Sequence, residues 1–180
     1  MRATPSQKRL GLIFVVIAAL VVGAFFLLRK GPSSPQSFKL ETVSSAVNRN
    51  WEFPATDRNA AAITTKLTFT LTILEKTNQI YVKNKPIRTT SDKRFLVVSL
   101  ELKNDTDKRV YFYSSDYVRL VSGDGKKFEA DFKNPRFEVA PFSTKKDKLA
   151  FLVANDSAAF ELQIGEIAGT KDTIPAKFEP

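Results

Sequence analysis

The sequence predicts an all-β protein, an antiparallel β-sandwich preceded by a single N-terminal transmembrane helix. Short runs in which apolar and polar residues alternate predict half-buried strands, and turn-forming clusters separate these runs. One uninterrupted apolar segment near the N-terminus has the length of a membrane span. A small β-barrel is the alternative architecture for the same strands.

The apolar segment covers residues 10–28, LGLIFVVIAALVVGAFFLL, and contains nineteen residues without a charge. At about 1.5 Å per residue, a helix of this length nearly spans a hydrocarbon core of about 30 Å. We therefore predict that residues 1–30 form a cytoplasmic tip and an uncleaved signal anchor in the lipid bilayer. The alternative is a signal peptide cleaved near Val22-Gly23-Ala24, although the apolar run continues past that point.

Basic residues flank the apolar segment on both sides. Arg2, Lys8 and Arg9 precede it together with the terminal amine, and Arg29 and Lys30 follow it. The positive-inside rule then places the N-terminus in the cytoplasm. The prediction is a single-pass protein of the cell membrane whose C-terminal domain is extracytoplasmic.

Residues 31–62 are predicted to form a stalk and a lead-in to the domain. GPSSPQS at residues 31–37 has the composition of a short flexible linker, and its prolines cannot continue a helix. Residues 38–62 contain NWEFP, which adds either a short strand or an apolar plug; the pattern leaves both open.

Alternating runs predict the strands of a β-sandwich at residues 63–170, with a C-terminal tail at residues 171–180. In each run one face is apolar and the other polar, as in a strand with one buried face. The residues predicted to point inward are Leu67, Phe69, Leu71 and Ile73; Leu96, Val98, Leu100 and Leu102; Val118 and Leu120; Phe137 and Val139; Leu149, Phe151 and Val153; and Phe160, Leu162 and Ile164.

Composition excludes most catalytic and nucleic-acid-binding functions. The chain has no His and no Cys, which removes thiol nucleophiles, Cys/His metal sites and the usual general base near neutral pH. Its net charge is +9, but beyond residue 30 the 23 basic and 19 acidic residues are interspersed, so no nucleic-acid footprint is predicted. We expect no enzyme and no cofactor, and assign no catalytic, cofactor-binding or metal-binding residue.

Four short motifs resemble functional sites, and each has a simpler structural interpretation. SGDGKK at Ser122–Lys127 lacks the oxygen spacing of a calcium loop and the helix of a phosphate loop, so it predicts a hairpin turn with glycines at positive φ. Asp105 and Asp107 are predicted to be solvated. STKK at Ser143 has no companion motifs of a serine acyl-enzyme, and the sequons at Asn104 and Asn155 predict turns.

Tyr111, Tyr113 and Tyr117 are the candidate partner-binding residues. If Val110 and Phe112 point inward, Tyr111 and Tyr113 point outward, and an outward Arg119 places Tyr117 on the exposed side as well. Tyrosine is enriched at interfaces because its ring offers apolar area with a polar tip. The alternative is that the rings cover each other or the segment around Trp51 as ordinary cross-strand pairs.

Phe95–Asp131, FLVVSLELKNDTDKRVYFYSSDYVRLVSGDGKKFEAD, resembles the domain of unknown function 4352 family. The shared plan is a strand ending in an Asn-rich turn, a short strand, and a Ser-Asp strand leading into an Asp-Gly-Lys hairpin. LTFTLTILEKT and APFSTKKDKLAFLVAND extend the resemblance to about residues 63–166, although Pro141-Phe142 stands where members often have Pro-Gly. The resemblance implies a bacterial immunoglobulin-like extracellular module, anchored or lipidated on the outer face of a bacterial membrane, and it implies no catalytic residue.

Two functional hypotheses follow. The first is a membrane-anchored extracytoplasmic immunoglobulin-like module for non-enzymatic binding or assembly, with another envelope protein as its partner. The second is a small hydrolase or divalent-metal-binding domain that uses only Asp, Glu, Ser and Lys. Three carboxylates converging in one cleft would favour the second hypothesis.

Overall fold

The computed structural model describes residues 38–156 and 159–178. The predicted anchor at residues 10–28, with its cytoplasmic tip and the stalk up to residue 37, lies outside the described residues. Within the described ranges, no helix has the length and hydropathy that a membrane crossing requires.

The described residues form twelve β-strands and one short 3-10 helix, Ser114–Asp116. The strands are β1 (Thr42–Thr56), β2 (Ala62–Thr77), β3 (Gln79–Val82), β4 (Lys85–Arg88), β5 (Lys93–Asn104), β6 (Val110–Phe112), β7 (Val118–Val121), β8 (Lys127–Phe128), β9 (Phe137–Val139), β10 (Ser143–Ala154), β11 (Ala159–Ile164) and β12 (Asp172–Lys177).

The strands pair in two larger sheets and one separate hairpin. The six-stranded sheet has the order β10-β5-β2-β1-β6-β9, the four-stranded sheet has the order β12-β11-β7-β8, and β3 pairs with β4. Every paired strand is antiparallel to its neighbour. The predicted all-β antiparallel sandwich is therefore confirmed, and the barrel alternative is wrong.

One hydrophobic core contains side chains from both sheets. The six-stranded sheet contributes Leu67, Phe69, Leu100 and Phe151 among others, and the four-stranded sheet contributes Leu120, Leu162 and Ile174. Nearly all residues predicted to point inward are buried, because period-two alternation directs one side of each strand to the core.

Among the predicted core residues Phe137 is half-buried against the core, and Ile73 is exposed, at 41%. A β-bulge between Leu71 and Ile73 shifts the register of β2 against β5 by one residue. The bulge turns Ile73 to the outer face and brings Leu74, 1% exposed, into the core.

The sandwich extends beyond the predicted boundaries of residues 63–170 at both ends. The lead-in forms β1, which pairs with β2 along almost its whole length and buries Phe53 and Ala55. A register shift between Ala46 and Arg49 interrupts its alternation, so the sequence did not reveal it.

The prediction of a C-terminal tail at residues 171–180 is wrong, because Asp172–Lys177 forms β12 on the edge of the four-stranded sheet. Ile174 and Ala176 point into the core, and Pro175 between them weakens the strand signal in the sequence.

The outer face of the six-stranded sheet is covered at one end, so the prediction that each strand has one buried and one polar, solvated face does not hold there. Phe95 and Val97 point away from the main core and are nevertheless buried. The β3–β4 hairpin packs Ile80 and Ile87 against them, and Phe132 closes the cluster from the other side. Residues of this second cluster also line a groove on the same face of the sheet.

Candidate functional site

The structure places Tyr117 against the core, not on the exposed side predicted for it. Its ring stacks on Phe112 at 4.6 Å between ring centroids and lies 4.4 Å from Phe53 of β1. Its hydroxyl donates to the carbonyl oxygen of Pro54 at 3.3 Å. Burial is the main cause that raises the pKa of Tyr117 to about 12.

The 3-10 helix Ser114–Asp116 explains the error at Tyr117. The alternation of β7 places Val118 and Leu120 inward as predicted, but it begins only at Val118. Tyr117 is the C-cap of the helical turn, with φ −105° and ψ −6°, so the strand rule does not govern its direction.

Tyr111 and Tyr113 are half-buried. The Tyr111 hydroxyl donates to Glu138 at 3.0 Å, and the guanidinium of Arg136 lies 5.1 Å from the centre of its ring. Tyr113 lies near Lys133 and contributes to raising the pKa of that lysine, after Glu129. The structure thus does not bring the three predicted tyrosines together as one exposed apolar patch.

The SGDGKK segment is the predicted turn between β7 and β8. The Gly125 amide donates to the carbonyl oxygen of Ser122 at 2.8 Å, and Gly125 has φ +81°. Gly123 does not adopt a positive φ, so the predicted role applies to Gly125 alone. Hydrogen bonds from Lys126 and Ser122 lower the pKa of Asp124.

The remaining sequence motifs are part of ordinary turns and strands. Ser143 Oγ donates to the carbonyl oxygen of Ala140 at 2.7 Å, whereas Lys146 pairs with Glu101 at 3.3 Å, so the serine and the lysine have separate partners. Asp105 is exposed and pairs with Lys103 at 2.9 Å. Within residues 38–156 and 159–178, no three or more carboxylates come together in a way that would hold a metal ion.

A groove of about 760 Å³ lies on the outer face of the six-stranded sheet. Its floor includes Val97 of β5 and Ala150 of β10, which are paired in register. The β3–β4 hairpin forms one wall, the segment Asp131–Pro135 forms the other, and Leu40 and Thr42 line one end. A concave, mostly apolar surface with few polar groups is typical of a binding site.

The charged groups on the floor of this groove and on its Asp131–Pro135 wall have structural partners. Lys148 pairs with Glu75 across the floor at 3.7 Å. The Asp131 carboxylate accepts a hydrogen bond from the amide of Leu152 at 2.7 Å. Lys133 pairs with Glu129, and this hydrogen bond raises the pKa of Lys133 and lowers that of Glu129. Among the residues that the structure describes, the groove therefore has no free pair of carboxylates suited to acid-base catalysis.

A two-residue turn shapes the hairpin that walls the groove. Val82 pairs with Lys85, and the two residues between them, Lys83 and Asn84, have φ of +49° and +62°. Positive φ at both positions is typical of a type I′ turn, whose twist matches that of the two strands.

Asn78 attaches the base of the hairpin to the start of β1. Its side-chain Oδ1 accepts a hydrogen bond from the backbone amide of Glu41 at 3.0 Å, and its backbone amide donates to the carbonyl oxygen of Glu41 at 3.2 Å. Its carbonyl oxygen accepts from the Thr89 amide at 3.0 Å. The hairpin and the first residues of the sandwich are thereby joined.

Tyr81 is an exposed tyrosine that was not among the predicted site residues. Its side chain is 70% exposed at the rim of the groove, and Gln79 Nε2 donates to its hydroxyl at 3.1 Å. The signal was present in QIYV, because inward Ile80 and Val82 direct Tyr81 outward.

The family model of a domain of unknown function, DUF4352, matches residues 59–174. No curated protein matches the sequence. A conserved hypothetical protein from Bacillus anthracis has a similar structure, with 14% identity, a TM-score of 0.51, and coverage of 77% of this chain and 99% of that chain. An uncharacterized beta-sandwich protein from Clostridium difficile 630 is similar over 64% of this chain and 88% of that chain, with 17% identity and a TM-score of 0.47.

Proposed function

The chain belongs to the DUF4352 family, and from that premise we propose that it is a non-enzymatic binding module anchored in a bacterial cell membrane. The module is extracytoplasmic and immunoglobulin-like, and it assembles with another envelope protein. Its binding site is the groove on the outer face of the six-stranded sheet, and the occupant is a segment of the partner protein.

The groove is the observation that carries this proposal. Its floor and walls offer apolar surface from Val97, Ala150 and Phe132, and the charged groups of its floor and of the Asp131–Pro135 wall already have partners. Such a surface favours burial of an apolar segment over chemical transformation of a substrate. The anchor part of the proposal is supported by the nineteen uncharged residues at 10–28.

The alternative of a hydrolase or metal-binding domain receives less support from the geometry. The nearest carboxylates to the groove, Glu75 and Asp131, are held by Lys148 and by the Leu152 amide. A rise in melting temperature of the full chain with millimolar calcium or zinc would revive the metal-binding alternative, because ligands that bind only the folded state stabilise it.

Single cysteines test the location, because the natural chain has none. We expect Gly123→Cys to react with a membrane-impermeant maleimide on intact cells, since a side chain there meets no atom within 4 Å. Ser6→Cys, on the N-terminal side of the predicted span, should react only after lysis. The reverse pattern, or labelling of neither position before lysis, would contradict the extracytoplasmic placement.

A photo-crosslinking residue in the groove tests the binding site. The Lys148 side chain is 67% exposed on the groove floor, so a crosslinker at position 148 should capture an envelope protein of defined mass on intact cells. The control is the same crosslinker at Gly123, which does not line the groove. An identical set of products from both positions would show that the groove is not the binding site.

A further inference from the structure

We propose that the β3–β4 hairpin is a docking surface for an anionic lipid bilayer, so that the domain lies against the membrane that anchors it. This inference rests on the proposed membrane anchoring, and it assigns the hairpin a partner distinct from the occupant of the groove.

The hairpin carries a concentrated positive charge. Gln79–Arg88, QIYVKNKPIR, contains Lys83, Lys85 and Arg88 and no acidic residue. Lys83 and Lys85 are exposed at its tip. Basic residues close to a membrane are attracted to anionic headgroups, and their contributions accumulate.

The outer side of the hairpin also has the side chains of a membrane interface. Ile80 and Ile87 face one another and point toward the sheet, so Tyr81 and its cross-strand partner Pro86 point away from it. Both are exposed. A tyrosine ring suits the boundary between headgroups and acyl chains because it is apolar with a polar tip.

The hairpin lies at the end of the sandwich where the chain enters it. Asn78 joins the hairpin base to Glu41, and Leu40 lines the same groove as Tyr81 and Lys83. Residues 29–39, eleven in number, connect the predicted span to Leu40, and an extended chain of that length reaches about 40 Å at most.

This short tether favours the bilayer as the partner of the hairpin. A surface held within reach of its ligand binds at a high effective concentration, so three cations and one aromatic ring suffice for docking that would be weak in free solution. An acidic protein would have to be recruited from elsewhere, and it enters the experiment below as a contrary outcome.

An environment-sensitive dye tests the proposal in the full chain. Pro86→Cys labelled with a nitrobenzoxadiazole dye should emit at shorter wavelength and higher intensity in phosphatidylglycerol vesicles than in phosphatidylcholine vesicles. The same dye at Gly123→Cys is the positional control and should respond to neither lipid. Flotation of the vesicles reports separately whether the chain is anchored.

Charge-reversal variants provide a second test of the same proposal. Lys83→Glu with Lys85→Glu should abolish the response of the dye at position 86, whereas Lys126→Glu with Lys127→Glu, the same change in net charge, should preserve it. Thermal melts of both double variants check that they fold.

Each outcome separates the two proposals. Flotation in both lipids without a dye response in phosphatidylglycerol overturns docking, leaves anchoring intact and points to a protein partner for the hairpin. Flotation only with phosphatidylglycerol, with a dye response, supports docking and overturns the anchor. No flotation and no response overturns both. Equal responses at positions 86 and 123, or in both lipids, overturn a specific hairpin contact with anionic lipid.

Discussion

Replacing Asn104 with Ala is expected to lower the free energy of unfolding by about 3 to 5 kcal/mol, because a fully buried side chain that makes five hydrogen bonds is lost at once. Asn104 is 0% exposed at the end of β5. Its Nδ2 donates to the carbonyl oxygens of Lys108 at 2.7 Å, Ala140 at 3.0 Å and Val139 at 3.3 Å. Its Oδ1 accepts from the Thr106 amide at 3.1 Å and from Thr106 Oγ1 at 2.8 Å. Equilibrium unfolding in urea measures the loss.

Asn155→Ala is the matched control, since Asn155 also precedes an aspartate in a turn after a strand. Its side chain is exposed and donates one long hydrogen bond, 3.3 Å, to the carbonyl oxygen of Ser91. Its replacement should change stability by less than about 1 kcal/mol. Equal effects of the two substitutions would mean that the network at Asn104 does not stabilise the fold.

Leu100→Ala and Phe151→Ala are each expected to lower the free energy of unfolding by about 2 to 5 kcal/mol. Removing a large buried side chain leaves a cavity that neighbouring residues only partly fill. Both residues were predicted to be fully buried, and this is confirmed: each is 1% exposed. They lie on adjacent strands, β5 and β10, and face the four-stranded sheet through the main core.

Leu152→Ala provides the control for Phe151→Ala on the same strand. Leu152 points to the opposite face of β10 and is 39% exposed, so it loses less buried apolar surface than Phe151. Its truncation should cost less than about 1.5 kcal/mol. If urea unfolding shows that Leu152→Ala lowers the free energy of unfolding as much as Phe151→Ala or more, the assignment of inner and outer faces is wrong.

The direction of side chains was predictable wherever a strand runs without interruption. In β5, Leu96, Val98 and Leu102 are all buried as predicted. The rule failed where the backbone departs from regular pairing. The bulge before Ile73 exchanged the two faces of β2 from that residue onward, and the 3-10 helix before Tyr117 removed that residue from the alternation of β7. A single residue inserted in a period-two pattern exchanges the two faces.

The candidate site was less predictable than the fold. The tyrosines chosen from the sequence lie at positions where local alternation suggested exposure, but Phe53 and Phe112 cover Tyr117. Tyr81 was overlooked because QIYV is short, although its alternation indicates the correct direction. The predicted role of Tyr111, Tyr113 and Tyr117 in binding a partner stays a prediction. Substituting Tyr117 would disturb the core, so any test belongs to the other two.

The sequence by itself determined the fold class, the inner faces of the regular strands and the turn at Gly125, because alternation, turn chemistry and glycine conformation act over a few neighbouring residues. Only the tertiary structure decided that the lead-in forms a strand inside the larger sheet, that the β3–β4 hairpin covers Phe95 and Val97, and that a groove remains beside it. These features depend on contacts between segments far apart in the chain, and their energies come from burial of surfaces that no local pattern records.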